Sequence, residues 1–292
     1  MSRGVNEMKK ALGMSGRRRA GNAVYHVFMV LLSLAMIYPF IWSLFSSFKA
    51  REQLYTDSPL NMIPHPFTLD NYKRAFEVLP FGNFLLNSVF LSIAIPICMI
   101  AIASITAYAL TRLDFWGRNL LFLAFIATMM IPSHVTLIPN YKTIVDMNLY
   151  NTYTALFLTN VFTASNAFNI FFFRQFFLSI PKDLENAAII DGCSRFKVFF
   201  RVVLPNAKPA IATTAILSFR SVWNAFLMPM LIINDYDKLT LTVGLKYLKE
   251  WEPNWAVLLA GATLSIVPIV VVFLIFQKHF MASSMNSGFG GK

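Results

Sequence analysis

The sequence predicts an all-α polytopic membrane protein with six transmembrane helices and both termini on the cytoplasmic side. The first observation is composition: of 292 residues, 57% are hydrophobic and only 13% are charged. Soluble domains are about 45–50% apolar and about 25% charged. The second observation is that the apolar residues form six long runs. The third is an uneven distribution of Lys and Arg between alternate connecting segments, which favours one orientation.

Each of the six apolar runs is about 20 residues or longer, which is enough for a helix to cross a ~30 Å hydrocarbon core. This division leaves a basic N-terminal segment (1–22), a six-span domain (23–278) and a C-terminal tail (279–292). The predicted spans are Ala23–Phe48, Phe84–Leu110, Asn119–Ile138, Thr152–Leu178, Pro209–Ile233 and Trp255–Phe276.

Most of these spans contain proline, which removes a backbone donor and crowds the preceding turn. We expect the prolines to kink or break their helices, which is tolerated in lipid only where neighbouring groups or water satisfy the freed carbonyls. Ordinary transmembrane use of proline and a bundle that must flex are both consistent with this pattern. The prolines concerned are Pro39, Pro96, Pro132, Pro229 and Pro268.

Basic residues set the predicted orientation. With the N-terminus inside, the inner segments carry roughly twice as many Lys and Arg residues as the outer ones, and such an excess marks the cytoplasmic face. Both termini are therefore predicted to be cytoplasmic, in a multi-pass protein of the cell membrane. The net charge of +11 requires no nucleic acid, because a basic inner face meets anionic membrane lipid.

The predicted spans contain no Asp or Glu. Carriers driven by proton or sodium gradients commonly place ionisable groups at membrane depth, so self-powered transport is disfavoured. Arg220, about midway along the fifth span, is the one charge assigned to a deep position. Placing an arginine at that depth in a membrane costs at least about 2.5 kcal/mol of free energy. Arg220 is therefore expected to line a translocation path, to meet a partner, or to bond backbone carbonyls for structural reasons.

Enzymatic chemistry has little support in the sequence. The four histidines are scattered, and neither H-E-x-x-H nor G-x-S-x-G occurs. The sequence also lacks a phosphate-binding loop and a metal-spaced cluster of Cys and His. We therefore expect no catalytic residue, no metal and no cofactor, and any energy from ATP has to come from another polypeptide.

The inner segment Ser179–Lys208, between the fourth and fifth spans, begins with helix signals. Pro181 suits a first helical turn, and Asp183 and Glu185 favour the positive end of the helix dipole. Small residues follow at Ala187 and Ala188, so another surface can approach this helix closely.

A glycine then separates this helix from a second one. Gly192 is suited to the left-handed conformation that ends a helix, and Ser194 is suited to cap the next. In that helix the apolar residues follow an i, i+3, i+4, i+7 pattern, and Pro205 is predicted to end it near Leu204. An interfacial helix on the inner leaflet accounts for the apolar and basic residues. A helix pair that docks into a partner also accounts for the small, acidic first half. The patterned residues are Phe196, Phe199, Phe200 and Val203.

The string "ENAAIIDGCSRFKVFFRVVLP" resembles the cytoplasmic coupling loop, the EAA loop, of permease subunits of binding-protein-dependent ABC importers. The first position departs from the family pattern, because the family's glutamate aligns with Asn186 and Glu185 stands one residue earlier. An asparagine keeps a hydrogen bond but not the charge. The residues that fit the pattern are Ala187, Ala188, Asp191, Gly192, Leu204 and Pro205.

The resemblance extends along nearly the whole chain. "NSVFLSIAIP", "AYALTRLDFWGR", "MMIPSHVTLIPNY", "FFFRQFFLSIP", "WNAFLMPMLII" and "PFTLDNYKRAF" look like segments of carbohydrate-uptake permeases of the maltose-transporter type. No single string is decisive, but their order matches the six-span second permease of a heterodimer.

This resemblance implies partners. They are a second, different permease, two copies of a cytoplasmic ABC ATPase, and an extracytoplasmic binding protein that delivers a sugar. Arg220, Trp223 and Asn224 would lie near the path, where Trp223 could stack on a sugar and Asn224 could bond its hydroxyls. The outer segment "NDYDKLTLTVGLKYLKEWEPNW" would contact the binding protein, or else cap the bundle with Trp251 and Trp255 as interfacial anchors.

Three other functions remain to be distinguished. An ion-coupled secondary carrier would transport without partners, and the missing intramembrane carboxylates speak against it. A membrane scaffold or sensor would bind a partner without transport, and only the loop and the family resemblance speak against that. A membrane enzyme would need a polar catalytic cluster that the sequence does not provide.

Overall fold

The computed structural model describes the backbone of residues 2–58 and 61–288, and side chains within residues 22–277 apart from 23, 59, 60 and 276. These described residues are mostly helical and contain no strand, only an isolated antiparallel bridge between Lys49 and Phe67. The chain forms two compact units. Residues 1–72 with 254–263 make the first, and residues 73–253 with 264–292 make the second.

The first unit contains helix α1, Ser2–Ser46, which continues through Pro39, and the short helix α2, Arg51–Thr56. The segment Val24–Ser46 is long and apolar enough to cross a membrane, and its most apolar stretch buries no residue against this chain. Beyond it, the side-chain amide of Asn71 donates to the backbone carbonyls of Ser47 and Lys49 at 2.8 Å each.

The remaining helices are numbered in chain order. They are α3 (Asp70–Val78), α4 (Phe81–Arg112), α5 (Arg118–Met129), α6 (Leu137–Asp146), α7 (Tyr153–Val161), α8 (Ala167–Ser179), α9 (Lys182–Ile190), α10 (Arg195–Val198), α11 (Leu204–Asn206), α12 (Lys208–Trp223), α13 (Leu227–Ile232), α14 (Leu241–Trp251) and α15 (Trp255–Gly288). A 3-10 turn, Ala164–Asn166, precedes α8, another covers Tyr236–Lys238, and a π-helical segment, Phe199–Val203, joins α10 to α11.

The first, second and sixth predicted spans coincide with long apolar helices. Besides Val24–Ser46, these helices are Phe81–Arg112 and Trp255–Ile275. Pro96 and Pro268 lie inside α4 and α15 without ending them. These two prolines therefore do not break their helices, contrary to one part of the expectation.

The third, fourth and fifth predicted spans are interrupted. In the third, α5 ends at Met129, just before Pro132, and is only 12 residues long. The fourth consists of Tyr153–Val161 and Ala164–Ser179, bent by 56°. The fifth is divided into α12 and α13, with a gap between Trp223 and Leu227. The break before Pro132 agrees with the expectation that a span proline breaks its helix, whereas the breaks in the fourth and fifth spans do not lie at a proline.

Buried amides satisfy the backbone at the break in the fourth span. The amide nitrogen of Asn166 lies 3.2 Å from each of the carbonyl oxygens of Met99 and Val161 and donates to both. Asn169 donates to the side-chain oxygens of Asn166 and Ser218 at 3.0 Å each. A carbonyl freed in an apolar interior needs such a donor, and this network also joins α4, α8 and α12.

Among the described residues, an apolar core lies where α4, α8 and the start of α12 meet the loop between α8 and α12. It joins α4 and α8 to the segment that follows Gly192, so that segment packs into the protein rather than lying on its surface. The buried residues are Ala103, Ala107, Tyr108 and Leu110 of α4, Ile170, Phe173 and Phe177 of α8, and Val198, Phe199 and Val203 of the segment, with Ile180, Ala207 and Ala210.

Candidate functional site

The loop between α8 and α12 forms the predicted helix, glycine turn and second helix. Helix α9 begins directly after Pro181 and ends at Ile190. Gly192 has a φ of 84°. The amide of Gly192 donates to Ile189 O at 3.0 Å and that of Cys193 to Ala188 O at 2.9 Å. This is the Schellman arrangement that ends helices with a left-handed residue.

The second helix begins as predicted but ends later. Ser194 is its N-cap, with Oγ accepting from the amide of Lys197 at 3.4 Å. Pro205 lies inside the final turn, because α11 extends to Asn206. A proline supplies no N–H to the carbonyl four residues before it, and the chain widens into a π turn ahead of Pro205. The helix therefore ends two residues after the predicted end near Leu204, a difference of the size by which helix ends commonly vary.

The predicted apolar stripe of this helix is divided between two sides. Phe199 and Val203 are buried with Val198, whereas Phe196 is 71% exposed and Phe200 is 44% exposed. The rings of Phe196 and Phe200 contact each other with centroids 4.7 Å apart. Core packing selects one side, and the other aromatic residues remain on the surface. An interfacial helix lying in the leaflet, one of the two alternatives, does not explain the buried side.

Helix α9 has an exposed side of small and apolar residues. Asn186, Ala187 and Ile190 are exposed and share this side by helical spacing. Ile190 is 85% exposed. We call these three residues, together with Phe196 and Phe200, the loop face. Asp191 is exposed at the end of the helix, and Pro205 is exposed at the end of the segment.

Glu185 points the other way and is buried. Its carboxylate oxygen Oε1 lies 2.5 Å from Nε of Arg112, and the two side chains are only 7% and 4% exposed. The N–H of Arg112 is not aligned with this oxygen as a hydrogen bond requires, so the contact is between charges. The resemblance groups Glu185 with the loop residues that contact the partner. In this structure Glu185 is buried, so it does not lie on the exposed side of α9. Ala188 is partly buried on the same side.

The three residues assigned to the fifth span occupy two different environments. Arg220 and Asn224 are exposed, and the side-chain amide of Asn224 donates to the carbonyl of Arg220 at 3.0 Å. Trp223 is 3% exposed, stacks on Phe219 with ring centroids 5.7 Å apart, and donates its indole N–H to Ser265 O at 3.1 Å. Stacking on a sugar requires an open ring face, so the expected stacking role of Trp223 does not fit this conformation.

Two arginines were not recognised from the sequence. Arg112 lies two residues beyond the second predicted span, and in the structure it is the last residue of α4 and contacts the loop. Arg174 lies inside α8, with its guanidinium carbon 3.9 Å from the centre of the Phe122 ring, so Arg220 is not the one basic residue within the predicted spans. A basic residue ending an apolar run was the available signal for Arg112.

Comparisons with known proteins agree with each other. Residues 99–283 match the family model described as "Binding-protein-dependent transport system inner membrane component". The chain is 35% identical over 263 residues, covering 89% of its length and 93% of the relative, to an arabinooligosaccharides transport system permease protein of Halalkalibacterium halodurans. It is 33% identical over 285 residues, covering 97% and 92%, to a diacetylchitobiose uptake system permease protein of Streptomyces coelicolor.

A solved structure has a similar fold. A chain of a bacterial ABC transporter involved in the import of the acidic polysaccharide alginate aligns with a TM-score of 0.79 and 25% identity, covering 90% of this chain and 97% of that chain.

Proposed function

The chain belongs to the family of inner membrane components of binding-protein-dependent transport systems, and from this premise we propose that it forms, with a second and different permease, the path of a sugar importer. An extracytoplasmic binding protein delivers the substrate, and two copies of a cytoplasmic ATPase supply the energy. The observation that carries the proposal is the loop after α8, which combines the family's EAA pattern with an exposed face outside the apolar core.

The proposed topology has six crossings with both termini in the cytoplasm. Among the described residues, three helices are individually long enough to cross, and the broken fourth span adds another. We infer that α12 and α13, which are separated by residues 224–226, together make the fifth. Helix α5 measures about 18 Å at 1.5 Å per residue, so the third crossing needs the segment after it, through α6. The excess of basic residues on the inner side supports this orientation.

The loop face is the proposed contact with the ATPase. Asn186 stands where the family has glutamate, and Ala187 beside it allows a close approach. Ile190, Phe196 and Phe200 supply apolar area that this chain leaves exposed. ATP binding would close the ATPase pair, displace this loop and switch the spans between inward-facing and outward-facing states.

Arg220 and Asn224 are proposed to line the path. They share one side of α12 near the break in the fifth span and are exposed, although the helix is apolar. An exposed guanidinium in this position is unfavourable against lipid, so the side faces water, substrate or the second permease. Trp223 supports this surface from behind through its bond to Ser265. Amide and guanidinium donors suit the hydroxyl groups of a sugar.

We expect Arg220→Gln to lower the initial rate of uptake by about tenfold, equivalent to about 1.4 kcal/mol, because one donor of the path is weakened. The rate is measured in proteoliposomes that hold equal amounts of complex. Lys142→Gln is the control, since Lys142 is an exposed cation paired with Asp146 on α6. Equal uptake by wild type and Arg220→Gln would contradict a role for Arg220 in the path.

The proposed contact with the binding protein is the part of the outer segment that lies in the second unit, residues 234–253. Tyr236 packs against Tyr247 and Trp251 with ring centroids 5.3 and 6.3 Å away, and Trp251 is 63% exposed. Glu252 of this segment accepts a hydrogen bond from Nε of Arg74 at 2.9 Å, and this hydrogen bond, together with the charge of Glu252, raises the pKa of Arg74. An exposed aromatic group on a fixed support is typical of a protein interface.

The substrate class follows from the relatives. Those named above transport arabinooligosaccharides and diacetylchitobiose, so we propose an oligosaccharide or sugar for this chain as well. The loop and the family membership disfavour an ion-coupled carrier and a scaffold without transport.

Purification of the complex in mild detergent tests the proposal. We expect a second permease and an ATPase to co-purify, with uptake that requires ATP and survives collapse of ion gradients. The double variant Gly192→Pro with Ala187→Glu should lose the ATPase but keep the second permease, because proline cannot adopt a φ of 84°. Gly117→Pro, which alters a turn with a φ of 81° in another loop, is the control. A wild-type chain that purifies alone contradicts the importer function.

A further inference from the structure

We propose that Arg112 and Glu185 form a buried joint through which helix α9 moves as one body with the inner ends of α4 and α8. This inference rests on the proposed function, since it concerns how motion of the ATPase reaches the spans. It assigns Glu185 a positioning role within the permease, and leaves contact with the ATPase to the loop face.

Arg112 fixes two spans to each other. It is the last residue of α4, and its terminal nitrogen donates to the carbonyl oxygens of Phe177 and Ile180 at 2.8 Å each. These carbonyls lie at the C-terminal end of α8, where a helix leaves carbonyl groups without internal partners. A cation is favourable at this end of a helix because of the helix dipole. Arg112, at the end of α4, thus provides hydrogen-bond donors for the carbonyl groups at the end of α8.

The same guanidinium contacts α9. Its Nε lies 2.5 Å from Oε1 of Glu185, which belongs to the first turn of α9. An anion is favourable at that end of a helix for the converse reason. Tyr108, one turn before Arg112, places its hydroxyl 3.5 Å from the other carboxylate oxygen, a long hydrogen bond. Three helix ends therefore meet at one pair of charges.

Burial makes this joint stiff. Both side chains are more than nine-tenths buried, and two opposite charges attract more strongly where water is excluded. Separating them would leave each charge unpaired in an apolar surrounding, which is costly. If the ATPase displaces α9, the favourable response is for α4 and α8 to follow. The partly buried Ala188, one turn after Glu185, supports the contact with the same core.

The exposed neighbours of Glu185 have the opposite character. Asp183 and Asn186 lie on the outer side of α9 and are solvent-exposed. In this proposal, α9 contacts the ATPase on one side, through the loop face, and contacts Arg112 on the other side, through Glu185. The side chain at position 185 meets a group of this same chain 73 positions earlier.

Glu185→Gln in the complete complex, reconstituted in liposomes with its binding protein and substrate, tests the proposal. Glutamine keeps the size of the side chain and removes the charge. We expect the ATPase to co-purify as in wild type and ATP hydrolysis to stay within about twofold, while the sugar imported per ATP hydrolysed falls about tenfold. Asp183→Asn is the matched control, because it removes an exposed acid from the same turn, and it should couple normally.

The ratio of uptake to hydrolysis separates positioning from a purely structural role, since loss of folded protein lowers both rates together. Should Glu185→Gln fail to accumulate, the double variant Arg112→Gln with Glu185→Gln, which leaves no unpaired charge, is measured instead, with the same loss of coupling expected. A wild-type ratio of uptake to hydrolysis in the variant that is measured overturns the joint. This holds whether both rates are normal or both rates fall by the same factor. If Glu185→Gln loses the ATPase while the wild type retains it, Glu185 belongs to the ATPase contact and the joint is overturned. The importer function stands in that case. A wild-type chain without an ATPase overturns the proposed function itself.

Discussion

Replacing Phe196 and Phe200 by serine is expected to detach the ATPase and abolish ATP-driven uptake while the permease remains folded. The two rings contact each other and stay exposed beside a fully buried Val198. Phe200 also contacts the buried Phe199, with ring centroids 4.8 Å apart, so the double replacement exposes one edge of the core but removes no buried residue from it. Central aromatic residues of an interface typically contribute about 2–4 kcal/mol each. Loss of one such contribution weakens binding by about 30-fold to several hundred-fold.

The measurement is the amount of ATPase retained by the purified permease, followed by titration of the ATPase into the depleted complex. Phe115→Ser is the matched control, because Phe115 is equally an exposed phenylalanine, at 43%, but lies between α4 and α5. We expect it to retain the ATPase. If the double serine variant binds the ATPase with wild-type affinity, the loop face as defined here is not the docking surface.

Gly244→Leu is expected to prevent accumulation of the folded chain, and Gly244→Ala to destabilise it by about 1–3 kcal/mol, the usual cost of overpacking. Gly244 is buried in α14 and faces the ring of Phe84 on α4. A methyl group at position 244 would fall within the space of that ring, at 2.9 Å from Cγ and closer to two further ring carbons. Phe84 is fully buried, so its ring cannot avoid the clash by turning into solvent and has to displace neighbouring groups. The gain in helix propensity from glycine to alanine, about 1 kcal/mol, is smaller than this steric cost.

Thermal inactivation of the detergent-solubilised protein measures the effect of Gly244→Ala. Gly82→Ala is the control, because a methyl group there would have its nearest neighbour, in Phe76, at 3.9 Å, an ordinary contact. Gly244→Ala combined with Phe84→Leu should recover part of the lost stability, since the smaller side chain removes the clash, and neighbouring substitutions of this kind are not additive. An unchanged inactivation temperature for Gly244→Ala would show that α14 can shift away from α4.

Local features of the loop were predictable from a few neighbouring residues. A left-handed Gly192 followed by a capping Ser194 needs only the conformational freedom of glycine and a hydroxyl at the right distance from an amide. The existence of long apolar helices was predictable for the same reason, because transfer of a whole run into lipid depends on its composition. The family resemblance rested on such contiguous strings, and the comparisons confirm it.

Continuity of the spans was less predictable. Pro96 and Pro268 lie within long helices, whereas the fourth span breaks at a point without proline, between Val161 and Ala164. That break depends on the amides of Asn166 and Asn169, whose acceptors include Met99 and Ser218 on other helices. A break in an apolar interior is stable only when distant groups satisfy the freed carbonyls, and sequence spacing does not reveal those groups.

By itself, the sequence determined that this chain is a multi-helix membrane protein, which family it belongs to, and where the loop between α8 and α12 turns. Tertiary structure alone decided which side each candidate residue faces. Glu185 is turned inward by Arg112 and by Tyr108, 77 positions earlier in the chain, and Trp223 is buried because its indole finds a carbonyl at Ser265, 42 positions later. The physical reason is that turns and hydrophobic runs depend on nearby residues, whereas the burial of a charge or a ring depends on partners that only packing brings together.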